Sequence, residues 1–185
     1  MELLEEYSLH LPGHLDLRDA PDILLPDGLT IHGSMNIEGS QISELPENLT
    51  IEGSCYVFKS KLKSLPKGLK IVGSLDMRDT EIPEIPDDIE IGDYLYLKGS
   101  KVKLLPKGLK LEGLDLRDTE VEELPENLTI RRNLSLEQSK IKSLSRRLTI
   151  GRNLYINDQQ SINMPTDLRV IDTIYLNGVP MEPSQ

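Results

Sequence analysis

The sequence predicts a solenoid of about nine coils of 20 residues, mostly extended with little helix, whose short strands stack in parallel from coil to coil. One observation behind this is a recurring pair: Leu-Pro or a close relative begins at residues 25, 45, 65, 85, 105, 124, 144 and 164. A second is the apolar pattern of the unit, which places Leu45, Leu49, Ile51, Cys55, Val57 and Leu62 at positions that stay apolar along the repeats. The third is their spacing. Leu49 to Ile51 and Cys55 to Val57 follow the period of two expected of strands with one buried face, and no stretch carries a helical period.

Residues 1–24 form a cap and a degenerate first coil. Met1 to Tyr7 supply the cap, and Leu9, Leu11, Leu15 and Leu17 are in register with the template. Seven full repeats occupy 25–163. Pro at the second position, followed two residues later by Gly, Asn or Asp, reads as a tight turn, because Pro fixes φ and the later residue tolerates left-handed backbone. A Gly-Ser pair in the early units marks the next corner. A shortened repeat and tail, 164–185, close the chain. After Leu176 the tail carries one charge, Glu182, and is too short to cover a coil, so two outcomes are open: the last coil pairs with a partner or with a second copy as a homodimer, or it frays in a monomer.

A longer repeat overlies the first, since the units from Leu65 and Leu105 match at 14 of 19 aligned positions. It makes charges alternate down the stack, through Lys61, Glu81, Lys101, Glu120 and Lys140 in one column and Lys67, Asp87, Lys107, Glu126 and Arg146 in another. Opposite charges on adjacent coils are expected to pair.

The chain carries 21 basic and 31 acidic residues, a net charge of −10, which argues against direct nucleic-acid binding and favours a protein partner with a basic surface. All of that excess lies in residues 1–54, with 11 acidic residues and one basic. The single Cys excludes an internal disulfide, and Cys55 sits at a core position. The opening MELLEEYSLH has neither a basic nor a long apolar stretch, and no apolar run is long enough to span a membrane. The expected location is the cytoplasm, or a host cell reached without a cleavable signal. His10, His14 and His32, with Asp16, match no closed metal-site spacing, so no metal or other cofactor is expected.

Leu75-Asp76-Met77, Thr80, Ile82 and Ile85-Pro86 resemble the consensus of the leucine-rich repeat superfamily, with Ser40, Ser60, Thr80, Ser100, Thr119 and Ser139 where that consensus has Asn. The Leu-Pro-x-x-Leu element and short unit are similar to the bacterial subclass found in type III secretion effectors. The resemblance implies a right-handed solenoid with a parallel sheet on one face, and protein recognition on the concave side of that sheet.

Outward positions of the second strand form two columns on that face. They hold Tyr56, Asp76, Tyr96, Asp115, Tyr155 and Tyr175 in one, and Phe58, Arg78, Lys98 and Arg117 in the other. Tyr and Arg dominate interface hot spots, so these ten residues are the candidate binding set, with the Asp-x-Arg triplets expected to neutralise themselves. The function expected is a noncatalytic protein-binding module, a bacterial or phage effector or inhibitor. Two alternatives belong to other classes. One is an acidic mimic of nucleic acid that blocks a basic groove. The other is a carbohydrate-active enzyme using Asp76 and Asp115, which lie roughly 9 to 10 Å apart by coil rise, near the upper limit for an inverting pair.

Overall fold

Both alternating triplets of the unit can bury one face, and both form strands. The computed structural model describes residues 9–157 and 162–181, and over these it is a parallel β-solenoid of about eight turns with no helix. The expected cap, Met1 to Tyr7, and Glu182 lie outside the described residues. One face is a long sheet running through Leu15–Asp16, Met35–Asn36, Cys55–Tyr56, Leu75–Asp76, Tyr94–Tyr96, Gly113–Asp115, Leu134–Ser135, Leu154–Ile156 and Ile174–Leu176. These nine strands bound about eight turns, where about nine coils were predicted. The other face consists of a five-stranded sheet from His10–Leu11 to Glu90–Ile91 and a four-stranded sheet from Lys110–Leu111 to Arg169–Val170. Sheet therefore covers two faces of the coil, where the resemblance implied one.

The two faces run in opposite directions around the coil. On the long sheet the N–H of the inward residues donates to the following coil, as from Leu15 to Ser34 at 2.9 Å; on the other face the N–H of the outward residues donates to the preceding coil, as from Thr50 to Leu29 at 2.9 Å. Between the faces the template residues make one apolar core, in which Leu49, Ile51, Cys55 and Val57 are wholly buried. Leu11, Leu15, Leu17, Leu168, Val170, Ile174 and Leu176 are only partly buried, because among the described residues each end coil has a stacked coil on one side only.

The first corner is the predicted one, with Asn48, Gly68 and Asn127 in left-handed backbone at φ of 57°, 65° and 59°. The Gly of the Gly-Ser pair has a different job. Its φ is ordinary, but a Cβ on Gly73 would stand 2.7 Å from the carbonyl oxygen of Gly53, so the coils approach too closely there for a side chain. A further left-handed corner, not expected above, follows the long sheet at Asp19, Gly39, Lys59, Asp79, Gly99, Asp118 and Gln138, most of them Gly or Asp, which tolerate that backbone. It is closed by the Ser/Thr column: Ser60, Thr80 and Thr119 donate their hydroxyls to the carbonyls of Val57, Met77 and Leu116 at 2.7 to 2.8 Å.

Charge pairing between coils is real but falls largely in other columns than those expected. Among the described residues the first expected column gives only the Lys140–Glu120 pair, and the second gives none, since its members stand on solvated corners. The pairs that do form include Lys70–Glu90 at 3.2 Å and Arg131–Glu112 at 3.1 Å, on the strands and the corner after them.

The C-terminal end also differs from expectation. Asn177 and Gly178, at φ of 52° and 75°, make a tight hairpin turn, and Val179–Pro180 folds back antiparallel on Ile174–Leu176. The edge of the long sheet is thereby covered. Arg169–Val170, the last strand of the other face, has no such cover among the described residues, and neighbouring Ile171 is 63% exposed.

One break interrupts the stack. The unit from Leu105 has 19 residues, one fewer than its neighbours, and the residue is lost at the corner between the two strands. Gly113 still pairs with Tyr94 on the long sheet, but Lys110–Leu111 is not joined to Glu90–Ile91. The Glu112 N–H, which would continue that ladder to Ile91, bonds instead to the Asp93 carbonyl at 3.0 Å.

Candidate binding surface

The outward column of the long sheet stacks in register as Tyr56, Asp76, Tyr96, Asp115, Ser135, Tyr155 and Tyr175. Rings thus alternate with carboxylates at its centre, one strand spacing apart, about 4.8 Å. Six of the ten candidates, Tyr56, Asp76, Arg78, Tyr96, Asp115 and Arg117, line one recess of about 410 Å³ together with Ser54 and Ser74.

Each Asp-x-Arg triplet closes on itself. Asp76 accepts the Arg78 backbone N–H at 3.1 Å, Nε at 2.9 Å and Nη2 at 2.6 Å; Asp115 accepts the same three donors of Arg117 at 3.1, 2.9 and 2.7 Å. The two carboxylates are almost wholly buried, at 7% side-chain exposure, whereas the guanidiniums stay 48% and 43% exposed. The hydrogen bonds to the carboxylates raise both arginine pKa values further above their ordinary range. What faces outward is therefore a pair of arginines braced in one rotamer by a buried anion. Lys98 lies in the coil between them, in the turn just after Tyr94–Tyr96, 3.9 Å from Asp118.

Aromatic contacts frame this centre. The Arg78 guanidinium lies 5.5 Å from the Phe58 ring, and Tyr94 stacks on Tyr96 at 5.5 Å. The Tyr96 phenol has its pKa raised, first by burial and then by Tyr94 and the surrounding carboxylates, so it stays a hydrogen-bond donor at neutral pH. Tyr155 and Tyr175 are not part of the recess. They stack on each other at 4.9 Å farther along the sheet, where the Asn153 side-chain amide donates to the Tyr155 hydroxyl at 3.2 Å.

Ser54, Ser74 and Tyr94 were not among the ten candidates, although the period of two places their position on the same face. The histidines are engaged separately. His14 Nδ1 accepts from the Ser34 N–H at 2.9 Å, and His32 stacks on His10 and lies 3.0 Å from Glu52. Among the described residues no three His, Cys, Asp or Glu side chains are grouped to hold a metal ion, and no helix is long and apolar enough to cross a membrane. Cys55 is a buried free thiol whose pKa is pushed up to about 12, by desolvation first and by Asp76 second. No protein-family model, characterised protein or solved structure matches this chain.

Proposed function

We infer that the chain is a noncatalytic protein-binding module of the leucine-rich repeat kind, acting inside a cell as an effector or inhibitor, with the long sheet as its contact face. The observation that carries this reading is the recess in which Tyr56 and Tyr96 alternate with buried Asp76 and Asp115 while Arg78 and Arg117 are held facing outward. Side chains already fixed in their rotamers lose less entropy on association, and Tyr and Arg contribute most per residue at interface centres. The acidic N-terminal third supplies a long-range field that favours a partner with a basic surface. The arrangement suits binding better than hydrolysis, since both carboxylates are buried and bound to arginine, leaving neither free to exchange a proton with a substrate.

The test is affinity capture from a lysate with the intact chain and with the Tyr56→Ala, Tyr96→Ala double variant, followed by titration of the captured protein. The expected loss is more than about 2 kcal/mol of binding at nearly unchanged melting temperature. Binding that survives alongside a lowered melting temperature would make the column structural. A salt titration then separates this module from an acidic nucleic-acid mimic, whose affinity would collapse as the field is screened.

A further inference from the structure

The break at the unit from Leu105 leaves two strand edges facing each other. In the pattern of this face Lys110 N–H would donate to Ile89 and Glu112 N–H to Ile91, as Glu90 donates to Leu69 and Gly92 to Ile71 at 3.0 and 2.9 Å. Neither bond is made among the described residues, so the ladder positions of Ile89, Ile91 and Lys110 open into the gap. The core is thinner there. Ile89, Ile91 and Leu109 are 7 to 8% exposed, against 0 to 2% for Leu49, Ile51, Leu69 and Ile71 in the unbroken coils. A groove of about 620 Å³ runs over this place, with Val72, 63% exposed, beside these apolar residues. Its rim carries Lys70, Lys107 and Lys110 against Asp87 and Glu90. Lys70 is paired with Glu90, whereas Lys107 and Lys110 form no ion pair among the described residues. In a chain of net charge −10 this is a locally cationic site.

We propose that this groove takes an extended, acidic segment of a partner protein as an added strand. Backbone donors and acceptors at ladder spacing are matched by another extended backbone, the apolar floor takes alternate Leu or Ile side chains, and the lysines take flanking carboxylates. The surface lies on the face opposite the Tyr and Arg recess, so the two sites can be occupied independently.

The probe is a fluorescein-labelled synthetic peptide, Glu-Asn-Leu-Thr-Ile-Glu-Gly, a copy of residues 47–53, titrated against the full chain with a scrambled peptide as control. Saturable binding of the ordered sequence alone, with slowed amide exchange at Lys110, is expected. Two variants then locate it. Inserting Ser between Gly113 and Leu114 restores a 20-residue unit and should close the groove, raise the melting temperature and weaken peptide binding at least tenfold. Val72→Glu, at an exposed position, should weaken binding as much with the melting temperature unchanged, and it decides the matter if the insertion does not fold. No binding at roughly 1 mM peptide, equal binding of the scrambled peptide, or binding unaffected by Val72→Glu overturns the proposal. Sedimentation showing self-association that the insertion abolishes would assign the groove to a second copy and overturn it too.

Discussion

At the unit from Leu105 the long sheet passes without a gap, Leu95 pairing with Leu114 and Tyr96 with Asp115, while the opposite face parts between Glu90–Ile91 and Lys110–Leu111. Both faces belong to the same coils and have the same kind of core beneath them. They differ in where the missing residue falls. A parallel ladder tolerates a shortened corner only if one of the two strands beside it gives way, and here the strand before the corner yields. The face that stays in register carries the candidate recess, whose side chains need neighbours at fixed spacing. The face that parts keeps Ile91 and Leu111 buried on either side of the gap.

The largest test of this contrast is core truncation on either side of it. Leu95→Ala, at a wholly buried position under the long sheet, should cost about 2 to 5 kcal/mol, read by urea unfolding. Leu109→Ala, beside the gap, should fall at the low end, because a site already open to water leaves less of a cavity. Equal losses would mean that the break does not loosen the core.

Within the long sheet, Asp76→Ala should cost about 1 to 3 kcal/mol, because a buried acceptor of three hydrogen bonds is lost. Asp16→Ala removes the same triplet bonds at an exposed position in the end coil and should leave stability unchanged. The same unfolding assay compares them, and equal costs would remove burial as the reason for the difference.

The third test uses pH. The Cys55 thiol is pushed from an ordinary 9.0 up to about 12 by burial and then by Asp76. Above pH 9 the unfolded chain has lost this proton and the folded chain keeps it, so the unfolded state binds fewer protons and stability falls as pH rises. The contribution is about 1.4 kcal/mol per pH unit between roughly pH 9 and 12, and it vanishes below pH 9. Cys55→Ala should lack this component in parallel unfolding series, and alkylation of native Cys55 at pH 8 should be negligible. Rapid alkylation would show that the long sheet opens as readily as the other face.

The smallest effect is a pair of double-mutant cycles. Lys70 and Glu90, paired across an intact step, should couple by about 0.2 to 1 kcal/mol, and Glu90 with Lys110, across the break, by nothing measurable.

How much of this was legible follows from the range of the interactions. Core positions such as Leu49, Ile51 and Val57, the turn at Asn48, and the closure of Arg78 on Asp76 depend on residues within a few positions of each other, and the repeat displays them directly. The candidate face was legible for the same reason, since a period of two sends Tyr56, Tyr96, Arg78 and Arg117 outward together. The hairpin at Asn177-Gly178 also had a local sign, which the shortness of the tail obscured.

Other features needed the stacked coils. Asp16 and Asp76 stand in identical Asp-x-Arg triplets, yet one side chain is 53% exposed and the other 7%, because Asp76 has Tyr56 and Tyr96 on either side and Asp16 is in an end coil. At Lys59 and Gln138 the left-handed corner that Gly or Asp occupies in the other described coils carries residues that do not favour it. The absent residue in the unit from Leu105 is countable in the chain, but a length difference does not say which strand will leave its ladder. By itself the sequence determined the repeat, the buried positions and the outward columns, all set by local alternation. Tertiary structure decided which carboxylates are buried and which face breaks, because both depend on what the next coil places about 4.8 Å away.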